Sequence, residues 1–524
     1  MKKGKDTPVI IGTRGSELAL WQAHYTQSEL KKHGIVSELK IIKTKGDATQ
    51  EWNLSFTKME GKGFFTKELE DALLDGSIDL AVHSCKDLPT VSPAELLIAA
   101  YSKRANPFDV LLIRKDKADP TQTFKLPLNA IVGTSSARRK SQILAFRPDL
   151  ELNDLRGNVP TRLQKLRDGQ YDAILLAVAG LERLKISLDE FITLELKAPM
   201  FVPAPAQGVL AFQIRKDDEE MKSVCACLHD EDSAAITNIE RELLHDFEGG
   251  CQVPLGVYAE TKDDVIHAWI SQSESWDTLP KRTHIKLNSE DVFDPGSIVQ
   301  QFKEKKPASV FISSSLDEND YLVKSLRAHQ YSVAYESMLE FTAVDFEFDG
   351  NADWIFFSSK NAIRFFYDKV GTENCLPALA AVGESTAQEL RSRGMKVDFT
   401  GDGSGASTAK VFEEIASGIV LFPMADHSLR EVQQHIFNPT IQIKDLVVYH
   451  NTPKKLISKR TENILVFTSP MNAASYFEQH IPGPVQTVIA NGISTSKKLA
   501  SLNIPHKTAY SPYAWSLLDE IFSA

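Results

Sequence analysis

The chain of 524 residues, 42% hydrophobic and 25% charged, has the balance of a globular protein with several cores, roughly three to five domains. Its net charge of −11 argues against a general nucleic-acid binder, so an anionic ligand must meet a local basic pocket. The cysteines Cys85, Cys225, Cys227, Cys251 and Cys375 form no Cys-x-x-Cys pair, and neither a membrane-length apolar run nor a signal-peptide core is visible, which together predict a cytoplasmic protein.

The first 220 residues alternate short apolar runs with amphipathic helical patterns. Strand-like Val9-Ile10-Ile11 leads through Gly12-Thr13-Arg14-Gly15-Ser16 into a helix containing Trp21. A helical pattern over residues 64–74 precedes the strand Ile78-Asp79-Leu80-Ala81-Val82. Ala130-Ile131-Val132 runs into Gly133-Thr134-Ser135-Ser136-Ala137-Arg138-Arg139-Lys140, and the helical residues 162–167 stop at Asp168-Gly169 before Ala173-Ile174-Leu175-Leu176-Ala177. Such alternation predicts an α/β fold with parallel sheets and functional loops at the carboxyl ends of strands. From Ser233 a long helix is predicted to run to Gly249. Alternating residues such as 265–270 then read as a small α+β unit, and the polar stretch 290–308 reads as a linker.

Beyond residue 308 the chain repeats itself. Residues 354–359 are echoed 110 residues later, the Asn361-Ala362 that follows them recurs one residue further on as Asn472-Ala473, and Gly383-Glu384-Ser385-Thr386 is echoed 109 residues later as Gly492-Ile493-Ser494-Thr495. Two similar α/β lobes follow. In each, hydroxyls at a helix start either cap the helix or, with free backbone N–H groups, receive a carboxylate. The glycine-rich residues 401–405 read as a flexible loop rather than a nucleotide site.

Three basic loops stand where strands should end: Arg14 with Ser16, Arg138-Arg139 with Ser135 and Ser136, and Arg156 with Arg162. Arginine forks grip carboxylates with paired hydrogen bonds, so these loops describe a pocket for a polycarboxylate, although Arg138-Arg139-Lys140 alone would also suit a solvated helix face. Lys86 and Asp87 follow a buried-looking strand, where a carboxylate can stabilise a developing cation and move protons; a surface ion pair is the plainer reading. Glu248-Gly249-Gly250-Cys251-Gln252-Val253-Pro254 either presents a thiol for covalent chemistry or holds a half-buried cysteine in a turn. His83 and Cys85 lack further ligands at suitable spacing, and no metal is expected.

Together with Gly61-Lys62-Gly63-Phe64-Phe65 and Pro205-Ala206-Gln207-Gly208, these motifs closely resemble porphobilinogen deaminase over about residues 8–260. Residues 309–524 resemble uroporphyrinogen-III synthase through residues 357–361, 383–386, Val448-Tyr449, 467–470 and 492–495. The resemblance implies a fusion of consecutive enzymes of heme biosynthesis. One half condenses four porphobilinogens to hydroxymethylbilane with loss of ammonia; the other cyclises that product, inverting its last ring, to uroporphyrinogen III. It further implies a dipyrromethane cofactor on Cys251 through a thioether, with Lys86, Arg138, Arg139, Ser135 and Ser136 around it. Arg14, Ser16, Lys58, Lys62, Arg156, Arg162, Arg183 and Gln207 would hold substrate, and Asp87 would be catalytic. In the second half Tyr449 would assist departure of the hydroxyl, while Ser359, Thr386, Ser469 and Thr495 would hold carboxylates.

The implied architecture is two periplasmic-binding-protein-like lobes (residues 1–104 with 205–226, and 105–204) and a small α+β domain (227–300). A linker (301–308) and a two-lobed α/β module (309–345 with 450–524, and 346–449) follow. A monomer without nucleic-acid or membrane partners is expected. Three departures from the families stand out: Cys85 occupies a position more often methionine, Asn491 and Ser496 replace residues that are more often apolar or alanine, and Met424-Ala425-Asp426 lacks the basic residue common nearby in the family. A solute-binding module for the first half and an inactive assembly domain for the second remain the alternative readings.

Overall fold

A computed structural model describes residues 7–43, 66–120, 122–247, 253–288, 290–304, 308–371 and 377–524. Lys58, Lys62 and Cys251 therefore lie outside the described residues, as do the stretches 61–65 and 248–252. The chain divides into two compact units, Met1–Lys117 with Asn129–Glu304, and Ala118–Leu128 with Lys305–Ala524.

The first unit holds three sheets. In one, Ser37–Ile41, Val9–Thr13 and Leu80–Ser84 run parallel, and Leu210–Arg215 lies antiparallel between Leu80–Ser84 and Leu96–Tyr101. In the second, Glu151–Asn153, Ile131–Gly133 and Ala173–Ala177 are parallel, while Asp109–Arg114 runs antiparallel to both Ala173–Ala177 and Phe191–Leu196. Both sheets are thus mixed, not parallel as expected. The cause is the path of the chain: it leaves the first sheet after Tyr101 and returns at Leu210, and the strands flanking these crossings enter against the local direction.

The third sheet, Leu255–Lys262, Val265–Gln272 and Lys281–Leu287, is an antiparallel meander. A helix covers it, but over Glu231–Asp246 rather than from Ser233 to Gly249. Asp230 is the cap, its carboxylate accepting from Ser233 N at 2.9 Å, and this fixes the earlier start. The supposed linker also contains a helix, Pro295–Lys303, capped by Asp294. Its Val299 and Phe302 are buried with Leu243, Phe247, Leu255, Val257 and Ile270. The charges around residues 303–306 had masked this apolar face, whose burial drives the segment to fold.

Glu240 is the joint of this unit. Fully buried, it accepts from Arg104 Nη1 at 2.8 Å and Nη2 at 3.2 Å, and from the backbone N–H groups of Ala206 (2.6 Å) and Ala259 (2.7 Å). One carboxylate so ties the crossing segments to the third sheet.

The second unit has a five-stranded parallel sheet and a six-stranded sheet in which only Leu339–Ala343 is antiparallel, to Ile441–Pro453. The internal repeat emerges as matching strand–turn–helix pieces: Trp354–Phe357 with Lys360–Val370, and Ile464–Phe467 with Pro470–Phe477. The strand Ile441–Pro453, which pairs with Leu339–Ala343, runs through residue 449, where a lobe boundary was expected. Residues 401–404 form an irregular connection, one held by hydrogen bonds to Asp402. A strand, Phe399–Thr400, precedes them and a helix, Gly405–Phe412, follows; the Asp402 carboxylate accepts from Ser404 N (2.9 Å), Thr408 Oγ1 (3.0 Å) and Ser407 Oγ. A Cβ on Gly401 would lie 2.3 Å from Thr408, so close packing, not looseness, demands that glycine.

Candidate functional site

Strand ends in the first unit converge on a cavity of about 360 Å³. Ten of the expected residues line it: Arg14, Ser16, Lys86, Asp87, Ser135, Arg139, Arg156, Arg162, Arg183 and Gln207. Leu18, Leu155, Val159, Leu176, Leu184 and Val209 add apolar surface. The combination suits flat apolar rings bearing carboxylates.

Local structure explains the placement. Arg14 sits in the turn between Val9–Thr13 and the helix Glu17–Lys32, and Ser16 caps that helix through Ala19 N at 3.4 Å. Lys86 and Asp87 occupy a single 3₁₀ turn, Cys85–Asp87, directly after Leu80–Ser84. Arg156 precedes the helix Val159–Arg167, whose Arg162 donates from Nε to Gly157 O at 2.7 Å. Gly157 has φ +110°, a conformation that favours glycine. Arg183 ends the helix Val178–Arg183 and donates to Gly208 O at 2.7 Å, with its guanidinium 5.6 Å from the Trp21 ring. Gly208 has φ +93°, and a Cβ there would meet Ala105 O at 2.5 Å.

The cations are held in distinct ways. Arg162 and Arg183 are steadied by backbone carbonyls, and burial draws each guanidinium down to about 10, so a bound carboxylate would relieve the cost of their desolvation. Burial also draws the half-buried Lys86 ammonium down to about 8, against the opposing pull of Asp87. Its Nζ donates to Gln207 Oε1 at 3.2 Å. Asp87 itself is exposed to the cavity.

Two expected residues stand behind the cavity wall. Arg138 is buried, donating to Asp109 Oδ2 at 2.6 Å and Val202 O at 3.0 Å. Ser136 caps the helix Ala137–Phe146 through Arg139 N at 3.4 Å. Arg139 reaches the cavity, yet also donates to Asp109 Oδ1 from Nε (3.0 Å) and Nη2 (2.7 Å). Burial opposes ionisation of Asp109, but the two guanidiniums outweigh it and hold the carboxyl well below the usual range. Sequence reasoning missed Asp109. The available signal was a carboxylate opening the otherwise apolar run Val110-Leu111-Leu112-Ile113. Cys85 is fully buried, and burial pushes its thiol up to about 11, so it offers no competing nucleophile.

In the second unit, Ser359 and Tyr449 come together with Oγ and the phenol oxygen 3.3 Å apart, and Tyr449 stacks on Phe365 at 5.1 Å between centroids. Burial raises the Tyr449 phenol while the Ser359 hydrogen bond opposes the rise. Ser359 also caps its helix through Ala362 N at 3.1 Å. Ser469 caps the repeated helix through Asn472 N at 3.2 Å and accepts from Asn472 Nδ2 at 2.9 Å, which favours its structural reading. Thr386 is buried near the start of Glu384–Ser392; Thr495 is buried in Ile493–Ser501 with a hydroxyl that has no hydrogen-bond partner among the described residues. Two departures acquire structural roles. Ser496 bonds His506 Nε2 at 2.8 Å and accepts from Thr508 at 2.9 Å, and Asp426 receives His450 Nδ1 at 2.6 Å.

Strand-end cations around one cavity make this an α/β protein with a site suited to a polycarboxylate ligand. Residues 9–223 match the family model for the porphobilinogen deaminase dipyromethane cofactor binding domain, 235–294 the deaminase C-terminal domain, and 320–518 uroporphyrinogen-III synthase HemD. A porphobilinogen deaminase of Oceanobacillus iheyensis is 46% identical over 260 residues, 49% of this chain and 82% of that protein. A probable porphobilinogen deaminase of Methanococcoides burtonii is 46% identical over 256 residues, 49% of this chain and 80% of that protein. The uroporphyrinogen-III synthetase structure from Helicobacter pylori aligns at a TM-score of 0.32 and 22% identity, over 42% of this chain and 99% of that one, a likeness too low to carry argument. The chain belongs to the porphobilinogen deaminase family and continues into a uroporphyrinogen-III synthase domain. It is a bifunctional enzyme of heme biosynthesis, a transferase joined to a lyase, with a dipyrromethane cofactor.

Proposed function

We propose that the cavity around Lys86 and Asp87 is where four porphobilinogens condense to hydroxymethylbilane, and that the Tyr449 region cyclises the product to uroporphyrinogen III. The observation that carries the first half is the gathering of Arg14, Lys86, Arg139, Arg156, Arg162 and Arg183 at one cavity with the exposed carboxylate of Asp87, Glu17 being the other exposed carboxylate on its lining. Each pyrrole unit carries acetate and propionate, and such cations neutralise them by charge-assisted hydrogen bonds.

The residues fit the cofactor: Lys86, Arg139 and Ser135 line the wall that receives its carboxylates, Arg138 and Ser136 support that wall, and Cys251 is its anchor. The dipyrromethane supplies the primer from which the chain grows. A thioether is a suitable attachment because cellular thiols do not exchange with it as they do with a disulfide. Asp87 faces positive charge developing on the substrate as ammonia leaves, stabilises it, and handles pyrrole N–H protons. Arg14, Ser16, Arg156, Arg162, Arg183 and Gln207 position substrate, with Lys58 and Lys62 completing the cationic set.

In the second half, the Tyr449 hydroxyl donates toward the departing hydroxyl, with Ser359 orienting the phenol. Thr386, Ser469 and Thr495 mark the carboxylate-holding turns. Unaided, hydroxymethylbilane closes without inversion, so imposed geometry is the larger part of catalysis here. The arrangement favoured is two periplasmic-binding-protein-like lobes and an α+β domain followed by a two-lobed module, acting as a cytoplasmic monomer. Hydroxymethylbilane supplied to the purified protein tests the second activity: uroporphyrinogen III is expected, and formation of the non-inverted isomer alone contradicts it.

A further inference from the structure

Behind the cavity, Asp109 is fully buried and receives four hydrogen bonds from Arg138, Arg139 and Gln207. Gln207 Nε2 donates both to Asp109 Oδ1 at 3.1 Å and to Pro107 O at 2.7 Å. With its two N–H groups committed to oxygens, the amide must turn Oε1 outward, where it accepts from Lys86 Nζ at 3.2 Å. A continuous path thus runs from a strand of the second sheet, through the returning crossover, to the strand-end turn of the first.

Stability alone is a poor reason for this arrangement. Asp109 opens a strand whose next residues, Val110 to Ile113, are buried and apolar, and a buried cluster of one acid and two arginines is often no more stabilising than an apolar core of equal volume. We propose that Asp109 is a positioning residue for the condensation, setting the Gln207 amide so that Lys86 stands at the cavity and holding Arg139 in the orientation that meets carboxylates. This rests on the reading of the cavity as the deaminase site. Asp109 does not line the cavity and acts through the residues that do.

The test compares wild type, Asp109→Asn and the double variant Asp109→Asn with Arg138→Gln, which restores the net buried charge. Each full-length protein is assayed for kcat and KM with porphobilinogen across pH, for Tm, and for cofactor by intact mass. The charges acting on Lys86 are Asp87, Arg139, Asp109 and Arg138. Asp109 favours the charged Lys86, so its loss should move the alkaline limb of kcat/KM to lower pH. Where the protein folds, kcat/KM is expected to fall on the order of ten- to a hundredfold. A folded variant with a lowered Tm but wild-type kcat/KM and alkaline limb would overturn the proposal, as would failure of both variants to fold, which would make Asp109 purely structural. Lys86→Gln separates the two levels. If it leaves turnover unchanged, the cavity reading itself fails; if it impairs turnover while folded Asp109 variants do not, only the positioning role fails.

Discussion

The Tyr449 hydroxyl stands 3.3 Å from Ser359 Oγ, joining the turn of one strand–turn–helix piece to a strand that lies two positions away in the same sheet. Tyr449→Phe removes the only polar atom of that side chain while keeping its stack on Phe365. Cyclisation should slow on the order of 10²-fold, with bilane synthesis unchanged. Supplying hydroxymethylbilane and following the appearance of uroporphyrinogen III measures it, and Ser359→Ala should show a smaller loss.

Asp87 is exposed on a turn whose fold depends on the buried Cys85 and Leu88. Asp87→Ala should therefore leave Tm near wild type and lower bilane formation by at least about 10²-fold. Near-full turnover in the variant would remove Asp87 from the chemistry.

Glu240→Gln leaves Arg104, whose side chain is 9% exposed, without its counter-charge and weakens a four-bond junction. Breaking one partner of a buried pair costs about 3–5 kcal/mol, read as a lower denaturation midpoint for the first unit. The uroporphyrinogen-III synthase activity, carried by the other unit, should outlast it as denaturant is raised.

Two pH dependences follow from burial. Lys86 is charged below about 8, so binding of porphobilinogen carboxylates should weaken as pH rises through that value. His83 is buried and held neutral down to about 4, while Gln213 Oε1 at 3.0 Å partly opposes the shift. An unfolded histidine takes its proton near 6.5, so below that pH the unfolded state gains protons that the folded state refuses. Stability should be full above about pH 6.5 and fall by about 3 kcal/mol towards pH 4 from this group. Urea midpoints at the two pH values, with His83→Gln as the variant that flattens the loss, provide the check.

The cationic wall was legible because its residues occupy a recurrent local pattern, an apolar strand followed by a glycine or hydroxyl turn and an arginine, as at Arg14 and Arg139. Asp109 was hidden because its partners lie 29, 30 and 98 residues away, a relation that no local pattern encodes. The helix Pro295–Lys303 was hidden by the charges at its end, although Val299 and Phe302 already formed its buried face. The parallel sheets predicted from βα alternation failed at Asp109–Arg114 and Leu210–Arg215, where chain crossings set strand direction. The repeat was legible as two matching strand–turn–helix pieces, but it left capping and ligand binding undivided: Ser469 caps in its own piece, whereas Ser359 both caps and meets Tyr449.

Intact mass spectrometry of the full-length protein, made in cells that supply porphobilinogen, tests the covalent anchor most directly. The expected chain is heavier than its sequence by one dipyrromethane, with the addition mapped to the Cys251 peptide and absent from Cys251→Ser. An active protein with unmodified Cys251 would contradict it.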